Sequence, residues 1–230
     1  MSGLMWKKIL VFAAHPDDDV IGVGGTIARL AKEGAHVAVV IFTNGSEGYA
    51  EPGQKDTIPG IREEETRKAH SLLGVKETVF LGQDDMDARD DKETLKRCIG
   101  IIREFRPDVI FTHSDRDFHR DHKSVSQVTK EASRQASSAV FAASGKPWKT
   151  VELYMYEVLN FFEAPSYIIG VSGTFDLKIE AIKKHRSQFK VMGDIVQLVE
   201  GLAKARGYFI GEKYGEAFMK ADFFPVERKP

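Results

Sequence analysis

The chain has 230 residues, 42% hydrophobic and 29% charged, with a formal net charge of -1. That length suffices for one full α/β core, and the near-neutral balance offers no electrostatic grip on nucleic acid or an anionic membrane. A single cysteine, Cys98, excludes an intrachain disulfide and a cysteine-type structural zinc site.

Residues Met1 to Lys8 contain no apolar stretch ahead of a small-residue cleavage site, so no signal peptide is expected. The apolar runs are too short to span a bilayer, and a cytoplasmic protein is the expectation. Lys8 to Ala14 (KILVFAA) reads as a buried parallel strand. A polar loop, His15 to Asp19, and the glycines Gly22, Gly24 and Gly25 follow. Thr26 to Glu33 has helical spacing and stops at Gly34. His36 to Thr43 is a second buried strand. This βαβ unit implies a parallel sheet with helices on its faces.

A glycine- and proline-bearing loop covers 44–60, long enough to suggest a functional role. Ile61 to Leu73 is an amphipathic helix closed by Gly74, Glu77 to Leu81 a third strand, and Lys92 to Phe105 a helix that buries Cys98 as a small hydrophobe. Asp108 to Thr112 (DVIFT) is the fourth strand, and a helix runs from Lys123 to about Ala139. Beyond it, Ser137 to Pro147 reads as a flexible bridge. Val151 to Val158 and Tyr167 to Val171 read as strands, Leu177 to Gln188 and Asp194 to Arg206 as helices. The expected architecture is one α/β domain over 1–230, a Rossmann-like three-layer sandwich with a mostly parallel sheet. Its βα half is regular to about residue 136, and the half from about 137 is less regular.

Two polar clusters occupy equivalent places. His15-Pro16-Asp17-Asp18-Asp19 follows the first strand, and His113 to His122 (HSDRDFHRDH) follows the fourth. In open parallel sheets, sites gather beyond the carboxyl ends of the strands, so both clusters belong to one sheet edge. Imidazole and carboxylate donors without thiolate suit zinc or another imidazole-accepting divalent ion such as Fe2+. Such an ion acidifies water and polarises a carbonyl, and a spare carboxylate takes the proton. Each cluster alone also has an ordinary reading, a solvated turn or a helix entry. The Gly22-Val23-Gly24-Gly25 turn offers a rival phosphate cradle. Its fingerprint is incomplete, because five polar residues separate it from the strand, and the glycines equally serve close helix-to-sheet packing.

Ala14-His15-Pro16-Asp17-Asp18-Asp19 with Gly22 and Gly24-Gly25-Thr26 resembles the signature of the LmbE-like (PIG-L) zinc-dependent N-acetylglucosaminyl deacetylases. Asp117 with His119-Arg120-Asp121-His122 resembles that family's second metal motif. Weaker matches extend through Thr43-Asn44-Gly45, Arg62, Glu65, Ala69, Leu73-Gly74, the Lys178 to Gln188 segment and Glu216 to Phe218. The resemblance implies that His15, Asp18 and His122 hold zinc and that Asp17 is the general base. It implies that His119 stabilises the oxyanion and protonates the amine, that Asp121 orients or tunes His119, and that Arg62 contacts the sugar. For Arg62 an exposed helix charge paired with glutamates is the competing reading, and for His185 it is simple helix packing. The sequence departs from the family at Asp19, where glutamate is usual, at Arg120, where proline is common, and at Gly170.

The implied substrate is a small N-acetylated glucosamine-type sugar or conjugate, with a non-sugar N-acyl amide as the alternative. The resemblance also points to a homo-oligomer, a trimer or hexamer, with neither nucleic acid nor membrane as partner. A nucleotide-binding protein built on Gly22 to Gly25 is the rival from another class, and a metal-binding protein without activity is a third.

Overall fold

Lys8–Ala13 forms β1, whose five residues after Lys8 are fully buried, because helices cover both of its faces. The computed structural model describes residues 6–150 and 152–221. In chain order the elements are β1, α1 (Asp18–Lys32), β2 (His36–Thr43), α2 (Ile58–Leu73), β3 (Glu77–Gln83), α3 (Lys92–Phe105) and β4 (Val109–His113). Then come α4 (Arg120–Ala136), β5 (Glu152–Tyr156), β6 (Tyr167–Gly170), α5 (Phe175–Ile182), α6 (Phe189–Met192), α7 (Ile195–Tyr208) and β7 (Gly215–Lys220). Among the described residues no helix is long and apolar enough to cross a membrane.

The sheet order is β3-β2-β1-β4-β5-β7-β6. The five strands from β3 to β5 are parallel, and β7 pairs antiparallel with both β5 and β6. Side chains alternate between the two faces. Ile9, Val11 and Ala13 belong to the core cluster that α1, α2, α5 and α7 complete, while Leu10, Phe12 and Ala14 belong to the one that α3 and α4 complete. This is the expected three-layer, mostly parallel α/β architecture. Cys98 is fully buried in the second of these layers, as its periodic setting indicates.

Strand order reverses between β1 and β4. The chain leaves β1 toward β2 and β3, then crosses back to lay β4 on the other side. Register pairs Ile9 with Val109 and Val11 with Phe111. The loops that leave β1 and β4 therefore start side by side, at the switch point where a crevice opens.

Several elements differ from the sequence expectations. Helix α1 begins at Asp18, not Thr26, and runs straight through its glycines. A Cβ at Gly22 would strike the Tyr156 ring and come within 2.9 Å of Glu157 O, and one at Gly25 would lie 3.0 Å from Val171 Cβ. Close approach of helix to sheet outweighs the poor helix propensity of glycine. Helix α2 begins at Ile58 and keeps its Gly74 stop, which is left-handed at φ 81. Helix α4 starts at Arg120 and stops at Ala136. The helix expected from Leu177 to Gln188 breaks after Ile182 and continues as a turn and the short α6. Strand β7 is an addition, since GEAFMK offers neither a continuous apolar run nor a strict alternation. The strand expected from Val151 spans Glu152–Tyr156. Val151 and Met1 to Met5 lie outside the described residues.

The segment read as a flexible bridge, Ser137 to Pro147, is tied down. The buried Arg103 guanidinium donates to the carbonyls of Ser138 and Val140 at 2.8 Å, Phe141 at 2.7 Å and Gly145 at 3.0 Å. One side chain thus satisfies a run of carbonyls that no strand or helix would pair.

Candidate metal centre and active site

The β1–α1 turn places His15, Asp17 and Asp18 within four residues. The backbone N–H of His15 donates to Asp18 Oδ2 at 2.8 Å, which folds the Asp18 side chain back over the turn. Asp18 and Asp19 occupy the first turn of α1, where the helix dipole favours negative charge. A helix entry and a candidate metal-binding loop are therefore one structure here. From the other side, the β4–α4 loop delivers His119 as the N-cap of α4 and His122 one turn into it.

Three donor atoms converge. His15 Nδ1 lies 3.1 Å from Asp18 Oδ2, His122 Nε2 lies 3.3 Å from the same oxygen, and the two imidazole nitrogens are 3.3 Å apart. Tetrahedral ligands about 2.1 Å from one ion sit roughly 3.4 Å from each other, so this set fits a divalent cation. Two further donor groups include His122, one with His15 and His119, the other with Asp18 and His113. His113 Nε2 accepts the Ala14 N–H at 2.9 Å, which occupies the lone pair a metal would need. Burial, then the nearby His122, pushes His113 down to about 4, so it is neutral.

The charge balance favours a cation. Burial raises the Asp18 carboxyl, but the neighbouring imidazoles, His122 foremost, outweigh it and hold it well below the ordinary carboxylate range. Burial lowers His15, yet Asp18 and Asp121 carry it up to about 10. Burial likewise lowers His122, and Asp18 and Asp117 bring it up to about 9. The carboxylates thus hold protons on both imidazoles, where a metal ion would supply the same positive charge.

Each imidazole has a carboxylate behind it, an arrangement that fixes ring orientation. His15 Nε2 lies 3.0 Å from Asp121 Oδ2. His122 Nδ1 lies 3.1 Å from Asp117 Oδ2, an ion-pair contact out of hydrogen-bond alignment. The Asp121 side chain sits against His15, and its negative charge also pulls the His119 pKa upward against the burial that lowers it. Only the Asp121 backbone N–H reaches His119, donating to Nδ1 at 3.2 Å. The Asp121 carboxylate also accepts the N–H of Met86 at 2.7 Å and of Ala88 at 3.2 Å, so it stitches the loop after β3 to the site.

Asp17 is buried, and Arg62 Nη2 donates to its Oδ2 at 3.0 Å. Burial pushes Asp17 up to about 7 although Arg62 pulls it down. Arg62 is not the exposed helix charge of the competing reading. It is 4% exposed and points away from its helix, with Asp85 Oδ2 3.7 Å from Nη1. Gly45, at φ 76, lies against this guanidinium, and a Cβ there would come within 2.6 Å of Arg62 Cδ. The Thr43-Asn44-Gly45 segment is thereby the seat of Arg62.

Asp19 faces away from the metal donors. Its Oδ2 meets His70 Nε2 at 2.9 Å, and His70 Nδ1 meets Thr78 Oγ1 at 2.7 Å. His185 is buried in the turn after α5 with neither ring nitrogen bonded, and burial drives it down to about 3. Sequence reasoning assigned no role to His113, Asp85 or His70, and it quoted Asp117 only as part of a motif. For Asp117 a signal existed, since a carboxylate near a ligand histidine is a common backing group. His70 and Asp85 reach the site through tertiary contacts alone.

His15, Asp17, Asp18, His119 and His122 all line one cavity of about 390 Å³, with Arg62 in its wall. Against this geometry, the family model described as GlcNAc-PI de-N-acetylase (PIG-L) matches residues 10–133. The chain belongs to the PIG-L family of LmbE-like deacetylases. A diacetylchitobiose deacetylase of Thermococcus kodakarensis is 27% identical over 92% of this chain and 80% of its own length. A 1D-myo-inositol 2-acetamido-2-deoxy-alpha-D-glucopyranoside deacetylase of Rhodococcus erythropolis is 33% identical, over 64% of this chain and 60% of its own. Among solved structures, an N,N'-diacetylchitobiose deacetylase of Pyrococcus horikoshii in complex with an inhibitor superimposes with a TM-score of 0.87 at 29% identity, covering 94% of this chain and 84% of that one. The PIG-L match spans β1 to α4, the half that carries both metal motifs.

Proposed function

We propose that this chain is a zinc-dependent N-deacetylase that removes the acetyl group from a small glucosamine-type sugar or conjugate. The observation that carries it is the convergence of His15 Nδ1, Asp18 Oδ2 and His122 Nε2 within 3.1–3.3 Å, at the floor of a cavity that Asp17 and His119 also line. The relatives named as sugar deacetylases support the substrate class.

His15, Asp18 and His122 would hold the ion, which when bound acidifies water and polarises the amide carbonyl. Asp17 accepts the proton from the attacking water. Its burial favours the neutral form enough to make it a base matched to neutral pH. Arg62 keeps the Asp17 carboxylate in one orientation. Since the Asp121 N–H occupies His119 Nδ1, the proton of a neutral His119 sits on Nε2. From there it donates a hydrogen bond to the oxygen that gains charge as water adds, and the proton that Asp17 took from the water goes to the leaving amine. Asp121 and Asp117 set the rings of His15 and His122. Arg62 touches substrate in this proposal only through the face its Asp17 contact leaves open. A homo-oligomer, trimeric or hexameric, belongs to the same reading and is checked by light scattering.

The test is a panel of N-acetylated sugars, sugar conjugates and N-acetyl amino acids, assayed for free amine with zinc and again after chelation. Release from the sugars that stops on chelation and returns with zinc is the expected result. Release from the amino acids alone would move the assignment to a non-sugar deacylase, and nucleotide binding without metal would sink it.

A further inference from the structure

The cavity above the metal donors is lined by two unlike sets of side chains. One is acidic: Glu47 and Asp85 join Asp17 and Asp18, giving four carboxylates against the single guanidinium of Arg62. Arg62 is already committed to Asp17 and Asp85. Glu47 has an exposed partner, Lys55, at 3.1 Å, and no lysine lines the cavity itself. These carboxylates match a divalent cation at the floor together with Arg62, so the lining holds no positive charge free to meet an anionic substituent.

The other set is apolar. Met86, Leu159, Val191 and Met192 line the mouth and are 48%, 38%, 46% and 37% exposed. Beneath them Ile21, Val158 and Ile195 are buried. These side chains come from four separate parts of the chain: helix α1, the loop after β3, the loop after β5, and the α6–α7 corner. Scattered surface apolar residues need no explanation, but a set converging on one cavity does.

Met86 adds an independent observation. It is a non-glycine residue at φ 66, in the left-handed region. That conformation is costly for a side chain and is held when surrounding bonds enforce it. Here the Met86 N–H is fixed on Asp121 Oδ2 at 2.7 Å, the same oxygen that backs His15. The Met86 backbone is thus held at the cavity by the same carboxylate that backs His15.

Resting on the deacetylase reading, we propose that this site takes neutral N-acetylamino sugars carrying an apolar aglycone, and discriminates against phosphorylated or otherwise anionic ones. The amide lies on the polar floor, and the substituent lies along Met86, Leu159, Val191 and Met192. Contact of an apolar group with such a wall is worth about tenfold or more in specificity. A phosphate there loses water and gains no cation.

Three glycosides of N-acetylglucosamine test this on the zinc-loaded protein: benzyl, methyl and 1-phosphate. Calorimetry gives their dissociation constants and amine release gives kcat/KM. The expected order is benzyl tightest by about tenfold over methyl, with the phosphate weakest. Equal binding of benzyl and methyl, or tightest binding of the phosphate, overturns the proposal. Ordered binding with no hydrolysis of any glycoside leaves the substrate proposal standing and removes the deacetylase reading, so the two failures are distinct. Two variants localise the effect. V191S/M192S should bring the benzyl-to-methyl ratio toward one. M86K should raise the phosphate relative to methyl by severalfold, and an unchanged ratio in both would also overturn it.

Discussion

Asp121 Oδ2 and His15 Nε2 lie 3.0 Å apart, and the same carboxylate oxygen accepts the Met86 N–H at 2.7 Å. One side chain therefore orients a proposed metal ligand and anchors the loop that forms part of the cavity mouth. Removing the carboxylate should release both. Asp121→Ala is expected to weaken zinc binding by roughly 10–100-fold, the usual effect of losing such a backing group. A competition titration against a chromophoric chelator reads it, and unchanged affinity would mean that the carboxylate is not what sets His15.

Asp17→Asn should retain the metal, since Asp17 is not among the converging donors. Amide hydrolysis should fall by at least about 100-fold, the scale of a lost general base. Metal content and turnover measured on one sample separate the two. Normal turnover would refute the base assignment.

Metal uptake should depend steeply on pH. His15 and His122, raised to about 10 and about 9, keep their protons in the metal-free protein up to those values. Both must become neutral to bind a cation, so binding below pH 9 releases about two protons. Affinity should fall as pH drops, by about 100-fold per unit at the limit. Calorimetry in buffers of different ionisation enthalpy counts the protons; a count near zero would show that the imidazoles are already neutral. The sign for stability follows too. A raised folded pKa stabilises the metal-free protein below about 6.5, and that contribution is lost as pH rises toward 9–10.

Gly22→Ala offers a test of the helix-to-sheet approach. In an ordinary helix interior this change stabilises by about 0.5–1 kcal/mol. Here the new methyl meets the Tyr156 ring and Glu157 O, so a loss of about 1–3 kcal/mol is expected instead. Denaturant melts give the sign directly, and a more stable variant would show that the ring yields.

Much of the site was legible because its chemistry is local. His15, Asp17 and Asp18 share one turn, His119 and His122 share another, and each follows a strand whose apolar run is plain. Alternating strands and helices imply a parallel sheet, and a parallel sheet brings such turns to one edge. Helix α1 was misplaced for an equally physical reason. Glycine lowers helix propensity, and nothing in the local pattern reveals that Tyr156 and Val171, more than a hundred residues away, require its missing side chain.

By itself, then, the sequence determined the architecture, the two donor-bearing turns and the residue types that suit a divalent cation, since these depend on periodicity and on neighbours along the chain. Only the tertiary structure decided which carboxylate serves which imidazole. It set the Asp121 side chain against His15, turned Asp19 toward His70, and buried Arg62 against Asp17. Those pairings span 45 to 106 residues, and a contact across such a separation depends on how helices pack against the sheet, which local spacing does not encode.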